Sequence, residues 1–353
     1  MTARRAGIVG TGLIGGSIGL ALRRRGWHVT GDDHDAASAT RALERGALDA
    51  VGVDPTAEIT FLATPVRAVA DAARAVLQAG SGIVTDVGSV KASIVSSVAD
   101  PRFLGGHPMA GSEQDGVEGA DPDLFAGAVW VLTPTAATSD STYAAVRSVI
   151  RDLGADVVAL APEHHDALVA VVSHVPHLTA AALMQMADGK ANEHRALLRL
   201  AAGGFRDMTR IAAGHPGIWP DICAENRDAI IDVLGTLIGS MESLRDLVDK
   251  GDRSGLLAVL EQARGARVNL PTRVVRPQDM SEVRIPVPDR PGVLAEVTTL
   301  AGVLDVNIAD LEIAHSSEGP RGVLILLVDA HDAERLRHGL VEHGFRPAVL
   351  PLE

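Results

Sequence analysis

The glycine-rich stretch near the amino terminus constrains the fold more than any other part of the chain. An apolar run at 6–9 is followed by Gly10, Gly12 and Gly15, after which apolar residues resume at helical spacing. This pattern predicts a buried strand, a tight turn and a helix whose unpaired N–H groups bind a pyrophosphate. The residues that we predict to form this dinucleotide-binding turn are Gly10, Gly12, Leu13, Ile14 and Gly15.

An acidic residue after the second predicted strand completes the motif. Residues 27–31 are typical of a strand and lead into Asp32 and Asp33. A carboxylate at this distance binds the ribose of a dinucleotide. It also repels a 2′-phosphate, which favours NAD over NADP. We choose Asp33 and keep Asp32 as the alternative.

The amino-terminal segment also has some features of a signal peptide, because Arg4 and Arg5 precede an apolar stretch. The stretch runs into three arginines at 23–25 without a small-residue cleavage site. The glycine spacing and the downstream acid have no role in a signal. The dinucleotide interpretation is therefore favoured.

Composition excludes several classes of protein. The formal net charge of −13 argues against nucleic acid as a partner. The single cysteine, Cys223, cannot form an intrachain disulfide and favours a reducing, cytoplasmic location. The most apolar segment, 170–187, is interrupted by His174, Pro176 and His177, so we expect no membrane span.

The pattern of elements divides the chain into three domains and a linker. Residues 1–162 alternate between strands and helices, which predicts a parallel sheet of the Rossmann-like α/β class. Residues 163–264 are helical throughout, with predicted helices at 180–186, 195–202 and 229–247, and their apolar faces favour a homodimer. A linker at 265–280 precedes a small α+β domain at 281–353, whose β-α-β-β-α-β order is that of a ferredoxin-like fold.

Four residues are placed by this interpretation beyond the carboxyl ends of parallel strands, where ligands bind in open α/β sheets. They are Thr64, Ser89, His107 and Glu113. We expect His107 to lie in a loop, where its imidazole could take a proton from a hydroxyl. Ser89 could share that hydrogen bond, or it could cap the helix that follows.

Polar groups in the helical domain allow several interpretations. His174 and His177 share one helix face, but no third ligand has suitable spacing, so we predict no metal site. His165, within the segment 164–166, is interpreted as a solvated or capping group. Arg206 and Arg210 lie four residues apart, which suits a ligand with carboxylates or ordinary surface charge.

Five motifs together resemble the prephenate/arogenate dehydrogenase family. They lie at residues 10–17, 86–91, 105–113, 173–177 and 204–212, in the order found in that family. The resemblance implies NAD-dependent removal of hydride from C4 of prephenate, loss of the ring carboxylate as CO₂, and formation of 4-hydroxyphenylpyruvate, the precursor of tyrosine. Arogenate is the alternative substrate, and no single residue decides between the two.

The resemblance also implies roles for individual residues. His107 accepts a hydrogen bond from the 4-hydroxyl with the help of Ser89. Arg210 binds a carboxylate of the dicarboxylate substrate, and Asp207 fixes the loop that carries it. A catalytically idle NAD and amino-acid sensor is the rival, but such a protein would be expected to lack His107 or Arg210.

Four further positions are implied to surround the substrate. His174 and His177 line the pocket, Glu113 gates it, and Trp219 reaches in from the partner subunit. His215 stands where family members vary, at the rim of the pocket.

The carboxyl-terminal domain resembles an ACT domain at 287–294 and 306–308. That resemblance implies an amino-acid effector, for which L-tyrosine is our expectation, bound by Asp289, Gly292, Val293 and Leu294. The alternative is a dimerisation module that has lost its ligand.

Overall fold

The computed structural model describes residues 3–112, 114–191, 200–269, 280–288, 290–315 and 321–351. The chain divides into two compact units, Met1–Asp252 and Arg253–Glu353. The first unit contains the predicted glycine-rich turn and all the predicted substrate residues. The second contains the predicted effector residues.

An eight-stranded sheet forms the centre of the first unit. Its order is β3-β2-β1-β4-β5-β6-β7-β8, so the direction of strand order reverses between β1 and β4. The strands are β1 (Arg5–Val9), β2 (His28–Asp32), β3 (Ala50–Val51), β4 (Ile59–Leu62), β5 (Ile83–Asp86), β6 (Phe103–Pro108), β7 (Val129–Thr133) and β8 (Asp156–Ala159). The connecting helices are α1 (Leu13–Arg24), α2 (Ala36–Glu44), α3 (Val66–Ala79), α4 (Ala92–Ser97) and α5 (Asp140–Asp152).

The predicted Rossmann-like α/β fold is confirmed, with one correction to the sheet. All pairs from β3 to β6 are parallel, but β6 and β7 are antiparallel. The described residues between Pro108 and Val129 form one 3₁₀ turn, Val117–Gly119, and no α-helix of the kind that usually connects parallel strands.

Two glycines of the amino-terminal turn are required by close backbone approach. Gly10 has φ +92°, and a Cβ there would lie 2.4 Å from the carbonyl oxygen of Ala63. A Cβ on Gly15 would lie 1.9 Å from the carbonyl oxygen of Gly10. The turn therefore brings α1 against β1 and β4 at the point where the strand order reverses.

Among the described residues of the first unit, five α-helices come after strand β8 in the sequence. They are α6 (Pro162–Val169), α7 (Val175–Ala191), α8 (Gly203–Thr209), α9 (Trp219–Glu225) and α10 (Arg227–Asp249). The predicted helices at 180–186 and 229–247 lie within α7 and α10, whereas most of the one at 195–202 falls outside the described residues. A π-helical turn, Ala170–His174, joins α6 to α7. It precedes Pro176, which has no N–H for the regular helical hydrogen bond.

The second unit contains a helix and a four-stranded antiparallel sheet. Its elements are α11 (Arg253–Val268), β9 (Met280–Pro288), α12 (Val293–Val303), β10 (Ile308–His315), β11 (Arg321–Asp329), α13 (Ala330–Glu342) and β12 (Ala348–Pro351). The sheet order β10-β11-β9-β12 is that of a ferredoxin-like fold. Helix α11 continues to Val268, four residues into the predicted linker at 265–280, and residues 270–279 lie outside the described residues.

Candidate active site

A cavity of about 990 Å³ lies beyond the carboxyl ends of the central strands. Both the sheet and the helical part of the first unit contribute to its walls. The predicted site residues that line it are Gly12, Leu13, Ile14, Thr64, Ser89, His107, His177, Arg210 and Trp219. Residues from five separate sequence motifs therefore meet around one space.

The glycine-rich turn forms one end of this cavity and suits a phosphate. Gly12 is the N-cap of α1, and a Cβ at this position would have no atom within 4 Å. The first turn of α1 has no acidic residue and no side-chain cap. A dinucleotide pyrophosphate could therefore approach the free N–H groups of Leu13 and Ile14.

Asp33 stands beside the turn rather than in the cavity wall. Its Oδ2 accepts hydrogen bonds from the Thr11 amide at 2.7 Å and the Thr11 hydroxyl at 3.1 Å. Burial raises the pKa of Asp33, but the hydrogen bonds from Thr11 and Asp35 outweigh it, so the pKa lies below its ordinary value. The carboxylate is thus kept ionised and joined to the turn, while the exposed Asp32 ends β2.

His107 lies within β6 and not in the loop that the sequence predicted. Its backbone is opposite Val131 of the antiparallel strand β7, and that pairing extends β6 as far as Pro108. The side chain is partly exposed to the cavity. Burial is the largest cause that lowers the pKa of His107 well below its ordinary value, followed by His165, Lys91 and His174. His107 is therefore neutral at neutral pH.

A chain of hydrogen bonds selects the tautomer of His107. The carboxylate of Asp166 accepts from Nδ1 of His165 at 2.8 Å, so Nε2 of His165 carries no proton. That nitrogen lies 2.8 Å from Nδ1 of His107, and with His165 in this tautomer it accepts a hydrogen bond from the Nδ1–H of His107. The remaining nitrogen of His107, Nε2, consequently has a free lone pair.

The interpretation of His165 as a solvated or capping group is wrong, because its side chain is fully buried. The capping role belongs to its neighbour, Asp166. The two carboxylate oxygens of Asp166 accept from the backbone amides of Lys91 and Ala92 at 2.8 Å each. Ser89 is therefore not the cap of α4, and it lines the cavity instead.

Trp219 enters the cavity of its own chain. Its ring stacks on His177 with 3.6 Å between centroids and an interplanar angle of 14°. A short 3₁₀ turn, Pro216–Ile218, precedes α9 and brings Trp219, its first residue, next to α7. Trp219 thus contacts His177 of its own chain, and its approach to the site of a partner subunit stays a prediction.

His174 is buried behind this stack and does not line the cavity. Its Nδ1 accepts a hydrogen bond from the side-chain amide of Asn226 at 3.1 Å, and the same amide donates to the carbonyl oxygen of Asp166 at 2.8 Å. Burial is the main cause that lowers the pKa of His174 to about 4. Asn226 thus connects the start of α10 to the π-helical turn.

The two arginines of the motif at 204–212 have different surroundings. Arg210 begins a 3₁₀ turn, Arg210–Ala213, and lines the cavity. Arg206 lies in α8, is exposed, and donates to the carbonyl oxygen of Ala201 at 3.2 Å. Asp207 is also exposed and does not line the cavity. Glu113 lies outside the described residues, between the lining residues Ser112 and Gln114.

The fold and the site together define a dehydrogenase that uses a dinucleotide. Residues 18–159 match the family described as prephenate dehydrogenase, nucleotide-binding domain, and residues 161–262 match prephenate dehydrogenase, dimerization domain. The prephenate dehydrogenase of Bacillus subtilis is 32% identical over 353 residues, covering 95% of each chain. The protein therefore belongs to the prephenate dehydrogenase family.

Two solved structures show the same similarity in three dimensions. The prephenate dehydrogenase of A. aeolicus, in complex with hydroxyphenyl propionate and NAD⁺, is 31% identical with a TM-score of 0.72 and covers 77% of this chain and 99% of its own. The arogenate dehydrogenase of Synechocystis is 34% identical with a TM-score of 0.65, covering 74% of this chain and 98% of its own. Enzymes named for prephenate and for arogenate, the two substrates that the motifs suggested, are thus both found among the similar structures.

Sequence reasoning missed several polar residues behind the cavity. Asp86 and Lys91 belong to a motif that was recognised, but only Ser89 was chosen from it. Asn226 has no local signal, because its partners lie 52 and 60 residues away. Of these residues, only Asp86 had a recognisable signal in the sequence, because it places a buried charge at the end of a strand.

Proposed function

We propose that this protein is an NAD-dependent prephenate dehydrogenase. The observation that carries the proposal is the hydrogen-bonded series from Asp166 through His165 to His107. It leaves the unprotonated Nε2 of a neutral histidine in a cavity that also holds the dinucleotide turn and Arg210. The cavity can thus bind the substrate hydroxyl, the cofactor that accepts the hydride and a substrate carboxylate next to one another.

Different residues of the chain would bind the cofactor and contact the reacting group of the substrate. Gly12, Leu13 and Ile14 would bind the pyrophosphate of NAD, and Asp33 its ribose. When bound, NAD supplies the acceptor for the hydride that leaves C4. His107 accepts the hydrogen bond of the 4-hydroxyl through Nε2 and stabilises the positive charge that develops at C4 and its oxygen.

The ring carboxylate leaves as CO₂ while its bonding electrons complete the aromatic ring. Ser89 lies in the same wall as His107 and would orient the hydroxyl. Arg210 would bind a substrate carboxylate with its planar fork of donors. His177 and Trp219 supply a stacked aromatic wall against which the substrate ring would pack. The products are 4-hydroxyphenylpyruvate, CO₂ and NADH.

Initial rates of NADH formation test this function. We expect the highest kcat/KM with prephenate and NAD, a lower value with arogenate, and a lower value for either substrate with NADP. Prephenate and arogenate differ only by a keto and an amino group in the side chain, so both are assayed under identical conditions. A preference for arogenate would assign the enzyme to the other substrate, and no NADH from either would contradict the proposed reaction.

The helical part of the first unit supports assembly into a homodimer. Ile231, Ile238, Met241 and Val248 are each more than half exposed and recur at intervals of seven, three and seven along α10. This spacing forms one stripe on the helix. An apolar groove of about 400 Å³ lies beside the stripe, between α7 and α10. A second copy packed on this face would remove both from water.

By length and composition alone, the helical run Pro162–Lys190, which includes His174, Pro176 and His177, is apolar enough to cross a membrane. Its mean hydropathy is 1.6, and 28% of the window is buried within the chain. The run lies inside the segment that matches the dimerization domain. A partner subunit accounts for its exposed apolar side chains, so we propose a cytoplasmic enzyme without a membrane partner.

We further propose that the carboxyl-terminal sheet domain is an ACT-like sensor of L-tyrosine. Gly292 has φ +90° and is the N-cap of α12, and neither it nor a neighbouring side chain caps the helix. Leu294 lies in the first turn of the helix, where an N–H group has no intrahelical partner and can bind an amino-acid carboxylate, whereas the N–H of Val293 donates to the carbonyl oxygen of Arg290 at 3.4 Å. Asp289, the fourth expected residue, lies outside the described residues.

Truncation after Asp279 should give an active dimer that no longer responds to L-tyrosine. The Synechocystis and A. aeolicus enzymes are matched over nearly their full lengths by about three quarters of this chain, so that part suffices for the fold. The measurement compares inhibition of NADH formation by tyrosine in full-length and truncated enzyme. Competitive inhibition at the substrate pocket is the rival explanation, and equal inhibition of both proteins would establish it.

A further inference from the structure

One buried carboxylate connects the two residues proposed to contact the substrate hydroxyl. Asp86 ends β5, and its side chain is fully buried. Its Oδ2 accepts a hydrogen bond from the amide of Gly88 at 2.9 Å, directly before Ser89. Its Oδ1 accepts from the amide of Gly106 at 3.1 Å, directly before His107. Asp86 therefore fixes the loop that carries Ser89 relative to the strand that carries His107.

Lys91 completes this arrangement from the start of α4. Its ammonium group forms an ion pair with Oδ2 of Asp86, and both side chains are fully buried. The backbone amide of the same lysine donates to Asp166 at 2.8 Å. Lys91 thus joins two carboxylates, one that holds the backbone beside His107 and one that orients its imidazole through His165.

The cost of burying this pair indicates that it does more than stabilise the fold. Removing two charges from water costs several kcal/mol per ion, and an apolar pair of similar volume is often equally stable. Packing alone would therefore not require an ion pair here. A carboxylate is required to accept two backbone amides at once, and the lysine neutralises its charge.

We propose that Asp86 and Lys91 form a positioning pair, which holds Ser89 and His107 at the separation that the dehydrogenase reaction requires. The pair does not line the cavity, so we expect it to contact neither substrate nor cofactor. It acts through the amides of Gly88 and Gly106 and through Asp166. The proposal rests on the proposed prephenate dehydrogenase function.

Lys91 also affects the protonation of His107. Among the described residues, the titratable groups packed behind His107 are His165, Asp166, His174, Asp86 and Lys91, and Arg210, His177, His215, Asp115 and Asp221 line the same cavity. The positive charge of Lys91 is one of the causes that lower the pKa of His107. Removing it should raise that pKa, so the acid limb of the pH–kcat profile should move to higher pH.

The test uses Lys91→Met and the double variant Asp86→Asn/Lys91→Met in the full-length enzyme. The double variant avoids an unpaired buried charge and protects the experiment against misfolding of the single one. We expect kcat to fall by about 10²-fold in both, the usual effect of misplacing a reacting group by about 1 Å. KM for prephenate and affinity for NAD should change little in both variants, and the acid limb of Lys91→Met should move to higher pH.

The matched control is Arg5→Met/Asp54→Asn, which removes another ion pair of the same sheet, with 2.7 Å between its atoms, at the amino end of β1. It should retain the kcat and pH profile of the unmodified enzyme. Absence of activity in the unmodified enzyme would contradict the proposed function and not the role of the pair. Folded variants with unchanged kcat and pH profile would overturn the proposal. Failure of both variants to fold would overturn it too, because the pair would then serve stability.

Discussion

Replacing His107 with asparagine should lower kcat by about 10²–10⁴-fold, the usual contribution of a positioned general base. Asparagine has no basic nitrogen to accept the hydrogen bond of a hydroxyl. The side chain is of similar size and lies at the end of β6, so the sheet should remain intact. The measurement is kcat with prephenate at saturating NAD, with NAD affinity determined separately. A kcat near that of the unmodified enzyme would remove His107 from the mechanism.

The neighbouring pair His164 and His165 provides an internal control for this result. His165 is buried and accepts the proton of His107 Nδ1, whereas His164 is exposed one residue away. His165→Asn should lower kcat less than His107→Asn, since it disturbs the tautomer and leaves the base in place. His164→Asn should have no effect. If His165→Asn and His164→Asn had equal effects on kcat, the hydrogen-bonded series would not contribute to catalysis.

The pH dependence of kcat has a defined direction. Burial, His165, Lys91 and His174 all lower the pKa of His107, and only its neutral form can accept a proton. Activity should therefore persist as the pH falls through the ordinary range of histidine, and it should decline only well below about 6.5. An acid limb at the ordinary value would contradict the buried environment described for this histidine.

The glycine pattern was sufficient to predict β1 and α1, because close backbone approach at Gly10 and Gly15 is a local requirement. The order of strands and helices from β9 to β12 was predicted from hydrophobic periodicity, for example in β9, which alternates between buried and exposed residues. The two-residue strand β3 was missed, because Ala50 and Val51 are both exposed and show no periodicity. The antiparallel β6–β7 pair was missed because periodicity carries no information on strand direction.

Site residues were predicted where the end of a single strand determines their position. They were missed where elements that are distant in the sequence meet. Thr64, Ser89 and His107 each follow from the end of a strand. His165 and His107 are 58 residues apart, and their contact depends on how α6 packs against the sheet. The same packing makes His165 fully buried, although its position near a helix start favoured a solvated group. The family resemblance supplied the role of Trp219, whereas its contact with His177 depends on how α9 packs beside α7.

Replacing Arg210 with glutamine should raise KM for prephenate by about 30-fold or more, as expected when one partner of a hydrogen-bonded charge pair is removed. The carboxylate is bound in both the ground state and the transition state, so kcat should change less than KM. Arg210→Lys should recover part of the loss, because it keeps the charge without the planar fork. NAD affinity should be unchanged.

Arg206→Gln is the matched control for this experiment, because it removes the same charge four residues earlier. Arg206 is exposed on α8 and does not line the cavity, so its loss should leave KM unchanged. A general electrostatic attraction of the substrate would instead raise KM in both variants and disappear at high salt. Equal loss of NAD binding in Arg210→Gln would indicate a disrupted turn. Only a selective rise in KM at Arg210 identifies the carboxylate site, and it does so independently of the chemistry at His107.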